Sequence, residues 1–425
     1  MIRFAVCLLI VLTTTSFQIN DSNQQTESTR LLSKIEEARE QVGVERVQIL
    51  KGTTGTRRVR VGRGRYEDVP ITGIIGREMA LAVMNSEGEI QTVRGIKRDS
   101  GFEVLTQGFV ISMRRENGIN TDFACIDPPG GKVLAVKYPV SNEGNRFGPG
   151  DPVIEAVYTP YSAEIKTEEV VRRGIEVQDE FIEKAYAHLA ERGIMSRAFP
   201  GRRVVDVVPT DVLRVLLMNE HIDPGEFRSA GLARPLVERV LTVIATNKEK
   251  AYAYSVSSAG ARGLVQMIPS TYYLIANRYP GAVLKTNFTQ GMSDPINAVV
   301  AQVLLCDSDW QAIKTRSHIP AERIGPYLAA AYNGGVGRVL SILEHNETDW
   351  MDEPDVNRKP TKTVSERVAV KVRTRRGRTT TKFILKSYTQ PIFKSETSKY
   401  VSQYHWINDF FVGQNTGSSK PMEEK

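Results

Sequence analysis

The chain has 425 residues, which at roughly 150 residues per domain implies about two to three domains rather than one. Hydrophobic residues at 41% and charged residues at 25% match the soluble globular average, excluding a fibrous, collagen-like or wholly disordered chain. The 56 Lys and Arg against 49 Asp and Glu give a net charge of +7, which suits an anionic partner without being a nucleic-acid signature.

At the start, Arg3 precedes an apolar run from Phe4 to Leu12, and Thr13, Thr14, Thr15 and Ser16 follow. This is the shape of a secretory signal, so residues 1–20 are expected to be removed on export to the periplasm or cell envelope. The run is too short to span a bilayer, and a buried N-terminal strand is the bland alternative. Cys7 leaves with the signal; Cys125 and Cys306 are then expected to be two isolated buried thiols, although an oxidising compartment would permit a bridge. Residues 21–44, rich in Asn, Gln, Ser and Thr at their start, are expected to form a flexible spacer.

Residues 45–160 change to short alternating runs, among them Val59 and Val61, Ile71 and Ile74, and Leu134 and Val136. Glycines and Pro128-Pro129-Gly130-Gly131 punctuate them, which predicts a β-rich module of unknown role. Within the connecting stretch 161–202, three- and four-residue steps through Val170, Val177, Phe181, Ala185 and Leu189 predict a long helix over Lys166–Arg192. The chain then turns mostly helical, with Pro209 at a helix start and Asp211 in its first turn. Residues 357–386 depart from this texture: eleven Lys/Arg against the lone Glu366 give a net of +10. Val368, Val370 and Val372 alternate with other residues, Gly377 supplies a turn, and Lys382-Phe383-Ile384-Leu385 resumes. The expectation is a basic β-hairpin inserted at about 350–390. A solvated charged face with no ligand is the competing reading.

Two stretches carry chemistry. Ser257-Ser258-Ala259-Gly260-Ala261-Arg262-Gly263-Leu264-Val265-Gln266-Met267-Ile268-Pro269-Ser270-Thr271 combines small residues, which permit close backbone approach, with an amide that both donates and accepts. Ala331-Tyr332-Asn333-Gly334-Gly335 places a phenol and an amide where an apolar helix meets a glycine turn.

Together these resemble the catalytic domain of the soluble lytic transglycosylase family, related to goose-type lysozyme. The family's S-x-A-G-A-x-G-L-x-Q-x-x-P-x-T matches Ser257 to Thr271, and its A-Y-N-x-G matches Ala331 to Gly335. Its E-T-x-x-Y-V matches Glu396-Thr397-Ser398-Lys399-Tyr400-Val401, and its D-P-x-x-N is similar to Asp294-Pro295-Ile296-Asn297 with the Asn one place early. The resemblance covers about Val204 to Phe411, within a domain taken as 203–412 with a polar tail over 413–425. It implies a mainly α-helical lysozyme-like domain with the basic hairpin inserted and says nothing about the N-terminal β-rich module; with that module read from its strand pattern, the expected fold class is α+β.

The resemblance further implies cleavage of the MurNAc–GlcNAc β-1,4 bond of peptidoglycan without attacking water. One carboxylic acid protonates the leaving oxygen and then, as carboxylate, takes the proton of the muramic 6-hydroxyl to close an anhydro ring, whereas ordinary glycosidases need two carboxylates. An apolar setting that raises its pKa suits such an acid. Lys248 stands where the family's E-S dipeptide would fall, and two candidates remain. Glu249 lies eight residues before Ser257 but between Lys248 and Lys250, whose charge favours the ionised form. Glu220 closes an apolar helix, Pro209–His221, and is preferred; this choice requires an inserted helix over about Leu232–Lys248. By resemblance Tyr332 orients the acid or the sugar, Gln266 binds an acetamido group, and Ser257 bonds near the reacting centre. Ile268 and Asn333 join them as substrate-binding residues. A muramidase of the same fold and a non-catalytic wall-binding protein are the competing functions. Glycan strands are the expected partner, with an anionic wall or membrane surface for the basic insertion and no nucleic acid. No metal-ligand cluster, phosphate loop or serine-histidine-acid pattern stands out, so no cofactor is expected.

Overall fold

A computed structural model of the chain describes residues 30–141, 153–223, 225–227, 233–344, 351, 361–373, 379–392 and 395–415. The expected signal (1–20) and the Gly377 turn lie outside the described residues. The fold is α+β, with antiparallel sheets first and helices after. The chain divides into two compact units. One comprises Met1–Phe181, Glu238–Pro269 and Asn287–Pro295; the other comprises Ile182–Val237, Ser270–Thr286 and Ile296–Lys425. This division departs from the expected boundary near residue 203, because the segment from Glu238 to Pro269 belongs with the β-rich part.

The first unit is built on an antiparallel sheet. Its strands are β1 (Ile49–Gly62), β2 (Arg65–Met84), β3 (Ile90–Arg98), β4 (Gly101–Val104), β7 (Lys132–Val140) and β8 (Ile154–Tyr158). The order is β4-β3-β2-β7-β8 with β1 also on β2, while β5 (Val110–Arg115) and β6 (Asp122–Asp127) pair separately. The expected spacer over 21–44 is corrected: residues 30–43 form a helix, α1. Leu31, Ile35, Ala38 and Val42 recur at four-, three- and four-residue steps and are buried against Ala80, Ala82 and Leu134 of the sheet. Lys137 ties the end of α1 to the sheet, its ammonium donating to Gly43 O at 2.9 Å and pairing with Glu155 at 2.9 Å. Beyond this core the β1–β2 ribbon runs on with exposed Arg57, Arg58, Arg60, Arg63 and Arg65, and with Val61, Val69 and Ile71 also exposed.

The helix expected over Lys166–Arg192 is α2, Glu168–Glu191. The helix expected over about Leu232–Lys248 is α4, Ala233–Asn247, which ends in a 3-10 turn at Lys248–Lys250. Within the first unit, the side chain of Asn247 completes the strand β8: Oδ1 accepts from Thr159 N at 2.8 Å, and Nδ2 donates to Thr159 O at 2.8 Å.

The second unit is helical around α3 (Thr210–Asn219), α5 (Pro269–Arg278), α7 (Pro295–Lys314), α8 (Ile324–Gly334), α9 (Val336–Glu344) and α10 (Ser395–Asn415). A short helix α6, Phe288–Ser293, belongs to the first unit. α3, α8 and α10 pack on one another. Gly325 is required there: a Cβ at this position would collide with the Tyr404 hydroxyl, so glycine lets α8 and α10 approach closely. The basic hairpin is present as β9 (Thr361–Arg373) and β10 (Thr379–Pro391), paired in unbroken antiparallel register. Helix α10 continues to Asn415, past the residue 413 at which the polar tail was expected to start, and residues 416–425 lie outside the described residues. Cys125 and Cys306 are both free; Cys306 is buried, whereas Cys125 is partly accessible rather than buried.

Candidate active site

The site grows from α3. Val212, Leu213, Val215, Leu216, Leu217 and Met218 are all buried, so this helix is apolar nearly all round and sinks into the second unit. Pro209 precedes its first turn and Glu220 caps its C-terminal end, with Glu220 N donating to Leu216 O at 3.2 Å. A carboxyl placed here sits at the negative end of the helix dipole, which opposes its ionisation.

The Glu220 side chain is half-buried. Burial pushes its pKa up from 4.5 to about 8; the Tyr400 hydrogen bond pulls it down, and the charge of Glu396 pushes it up further. Tyr400 Oη donates to Glu220 Oε1 at 2.5 Å. With that oxygen accepting, the acid proton belongs on Oε2. The carboxyl is therefore largely protonated at neutral pH, the state a general acid needs.

Two of the sequence motifs converge on this carboxyl. From α10, Tyr400 holds Glu220 through its hydroxyl and holds Asn219 through its carbonyl, which accepts from Asn219 Nδ2 at 2.9 Å. Thr397, in the same motif, donates to Asn333 Oδ1 at 2.7 Å and so fixes the amide of the Ala331–Gly335 stretch. Tyr332, half-buried on α8, has its phenol pKa raised well above the usual value by burial and by the negative charge of Glu220. The structure thus brings Glu220, Tyr332 and Asn333 together. Sequence reasoning singles out Tyr400, Thr397 and Glu396 only as a motif and misses that Tyr400 and Glu396 act on the Glu220 carboxyl while Thr397 holds Asn333. A separation of 180 residues between Glu220 and Tyr400 leaves no local signal that joins them.

A further carboxyl carries no motif in the sequence. Asp309 on α7 is buried, its pKa raised to about 7 by burial and lowered by Arg278, and its charge also opposes ionisation of Tyr332.

The Ser257 stretch lies in the first unit. Ser257 Oγ accepts from Ala259 N at 3.2 Å and Ala261 N at 3.1 Å, closing the turn on itself. Gln266, at φ +44°, donates through Nε2 to Gly263 O at 2.8 Å. Gly263 has φ +72°, and a Cβ there would collide with Met292 O, so this glycine answers a demand of the fold. Ile268 is exposed at 38%. Asn297, matched to the family's Asn, is absorbed by structure: Oδ1 accepts from Lys285 N at 2.9 Å and Nδ2 donates to Tyr272 Oη at 3.0 Å.

Glu249 lies exposed in the 3-10 turn after α4. Its neighbour Lys248 pairs with Glu36 of α1 at 2.9 Å. The Glu249 side chain is exposed, whereas that of Glu220 is half-buried. Among the described residues no group of three or more His, Cys, Asp or Glu could hold a metal ion, and no helix is long and apolar enough to cross a membrane.

No family model matches the chain, and neither a curated protein nor a solved structure does.

Proposed function

We propose that the chain is an exported peptidoglycan lytic transglycosylase in which Glu220 is the catalytic acid. The observation that supports this most is the half-buried Glu220 carboxyl, held by Tyr400 and carrying a pKa of about 8. Protonated at neutral pH, Glu220 gives its proton to the glycosidic oxygen as that bond breaks. The resulting carboxylate then takes the proton of the muramic 6-hydroxyl as its oxygen bonds to the anomeric carbon, so no water is consumed. Tyr400 positions the carboxyl throughout, and Tyr332 and Asn333 present a phenol and an amide to the sugar.

A second reading, a wall-binding protein that has lost its acid, is favoured by Lys248. It stands where the family carries its glutamate, and it is committed to an ion pair with Glu36. Digestion of purified peptidoglycan with the chain, read by mass spectrometry, tests the proposal. Anhydro-muropeptides support it. Reducing-end products would instead make the protein a muramidase, with Asp309 the carboxylate to test as activator of water. No product supports the binder.

A further inference from the structure

The proposed reaction uses nothing from the β9–β10 hairpin. This ribbon carries Lys362, Arg367, Lys371, Arg373, Lys382 and Lys386 against one acid, Glu366. Among the described residues its strands pair only with each other. The register sets Phe383 opposite Ala369 and Leu385 opposite Arg367, which places these four on one face, with Ile384 and Val368 on the other. Phe383 is 67% exposed, Leu385 70% and Ile384 49%.

A hairpin that serves only solubility has no use for three consecutive large apolar side chains in water, where Thr or a charged residue would serve the strand as well. Cations and apolar groups are interleaved on this face: Arg367 lies directly across from Leu385, and Lys371 follows Ala369 on the same face. A polyanion such as a nucleic acid or an anionic wall polymer would engage the cations and leave Phe383 and Leu385 in water. An anionic bilayer surface accommodates both sets. Its phosphates meet the Lys and Arg side chains, while Phe383 and Leu385 enter the boundary between headgroups and acyl chains. We propose that the β9–β10 hairpin docks the protein on an anionic phospholipid surface through the face that carries Phe383, Leu385 and Arg367.

The test is sedimentation of the whole chain with vesicles of phosphatidylcholine containing about one third phosphatidylglycerol, and with phosphatidylcholine alone. The native chain is expected to partition at least about tenfold more strongly to the anionic vesicles, and this preference is expected to fall as salt screens the charges. Phe383→Thr with Leu385→Thr keeps every cation and the strand propensity, and is expected to weaken that partition by about tenfold or more. Arg367→Gln with Lys371→Gln is expected to weaken it several-fold. Phe383→Trp is expected to keep the partition and to add a blue-shifted emission when vesicles are present. The proposal is overturned if the native chain shows no preference for anionic vesicles, or if vesicles leave the emission of the Phe383→Trp variant where it was. It is equally overturned if the apolar pair leaves partition unchanged while the charge pair lowers it, which would make the ribbon a general polyanion surface.

Discussion

Replacing Glu220 by Gln tests the electrostatics of the site without any assumption about substrate. The folded-state pKa of about 8 lies above the ordinary 4.5, so between these values the folded chain holds a proton that the unfolded chain has released. The stability this proton confers is complete below about pH 4.5, declines as pH rises, and is gone above about pH 8. A shift of this size corresponds to at most about 5 kcal/mol, at about 1.4 kcal/mol per unit, and partial access to water reduces it to about half. Gln cannot ionise, and its carbonyl still accepts from Tyr400. The variant is therefore expected to match the native chain near pH 5 and to exceed it by about 2–3 kcal/mol near pH 9. Urea unfolding of both chains at the two pH values, followed by circular dichroism, reads the difference. With two compact units the transition need not be two-state, so the comparison is made between variants at the same step. Parallel stability curves across this range, or a loss in the variant that is equal at both pH values, would refute the argument that Glu220 is desolvated.

Tyr400→Phe removes the bond that lowers the Glu220 pKa. The alkaline limb of the pH–rate profile is expected to move upward while kcat falls, whereas a role in packing alone would leave the limb in place. Gly325→Ala forces a Cβ against Tyr404 and is expected to cost about 1–3 kcal/mol, read as a lower thermal midpoint. Asn247→Ala leaves both backbone groups of Thr159 without their side-chain partner in the first unit and is expected to cost about 2–4 kcal/mol by urea unfolding.

Much of the helical architecture was legible because burial imposes a period. The helices α2 and α4 fall within a few residues of their expected bounds, and α3 ends at Glu220 as its apolar run predicts. The hairpin β9–β10 was readable from alternating Val residues and charge. Helix α1 escapes a reading by composition although Leu31, Ile35, Ala38 and Val42 hold a clear period, because the polar residues before Arg30 give the whole stretch the texture of a spacer. Glu220 was legible as a carboxyl at the end of a buried helix. Its setting was not, because Tyr400, Glu396 and Tyr332 reach it only through the packing of α3, α8 and α10. The Ser257 stretch shows the opposite case. Its small residues suggest room for a polymer, yet Gly263 and Gln266 satisfy turns of the loop itself.

The most direct measurement sets Glu220→Gln beside Glu249→Gln in one digestion of purified peptidoglycan, with muropeptides counted by mass spectrometry. Anhydro-muropeptides are expected to vanish with Glu220→Gln, while Glu249→Gln yields them at nearly the native rate. Release of anhydro products by the Glu220 variant, or their loss with the Glu249 variant alone, would contradict the role proposed for Glu220.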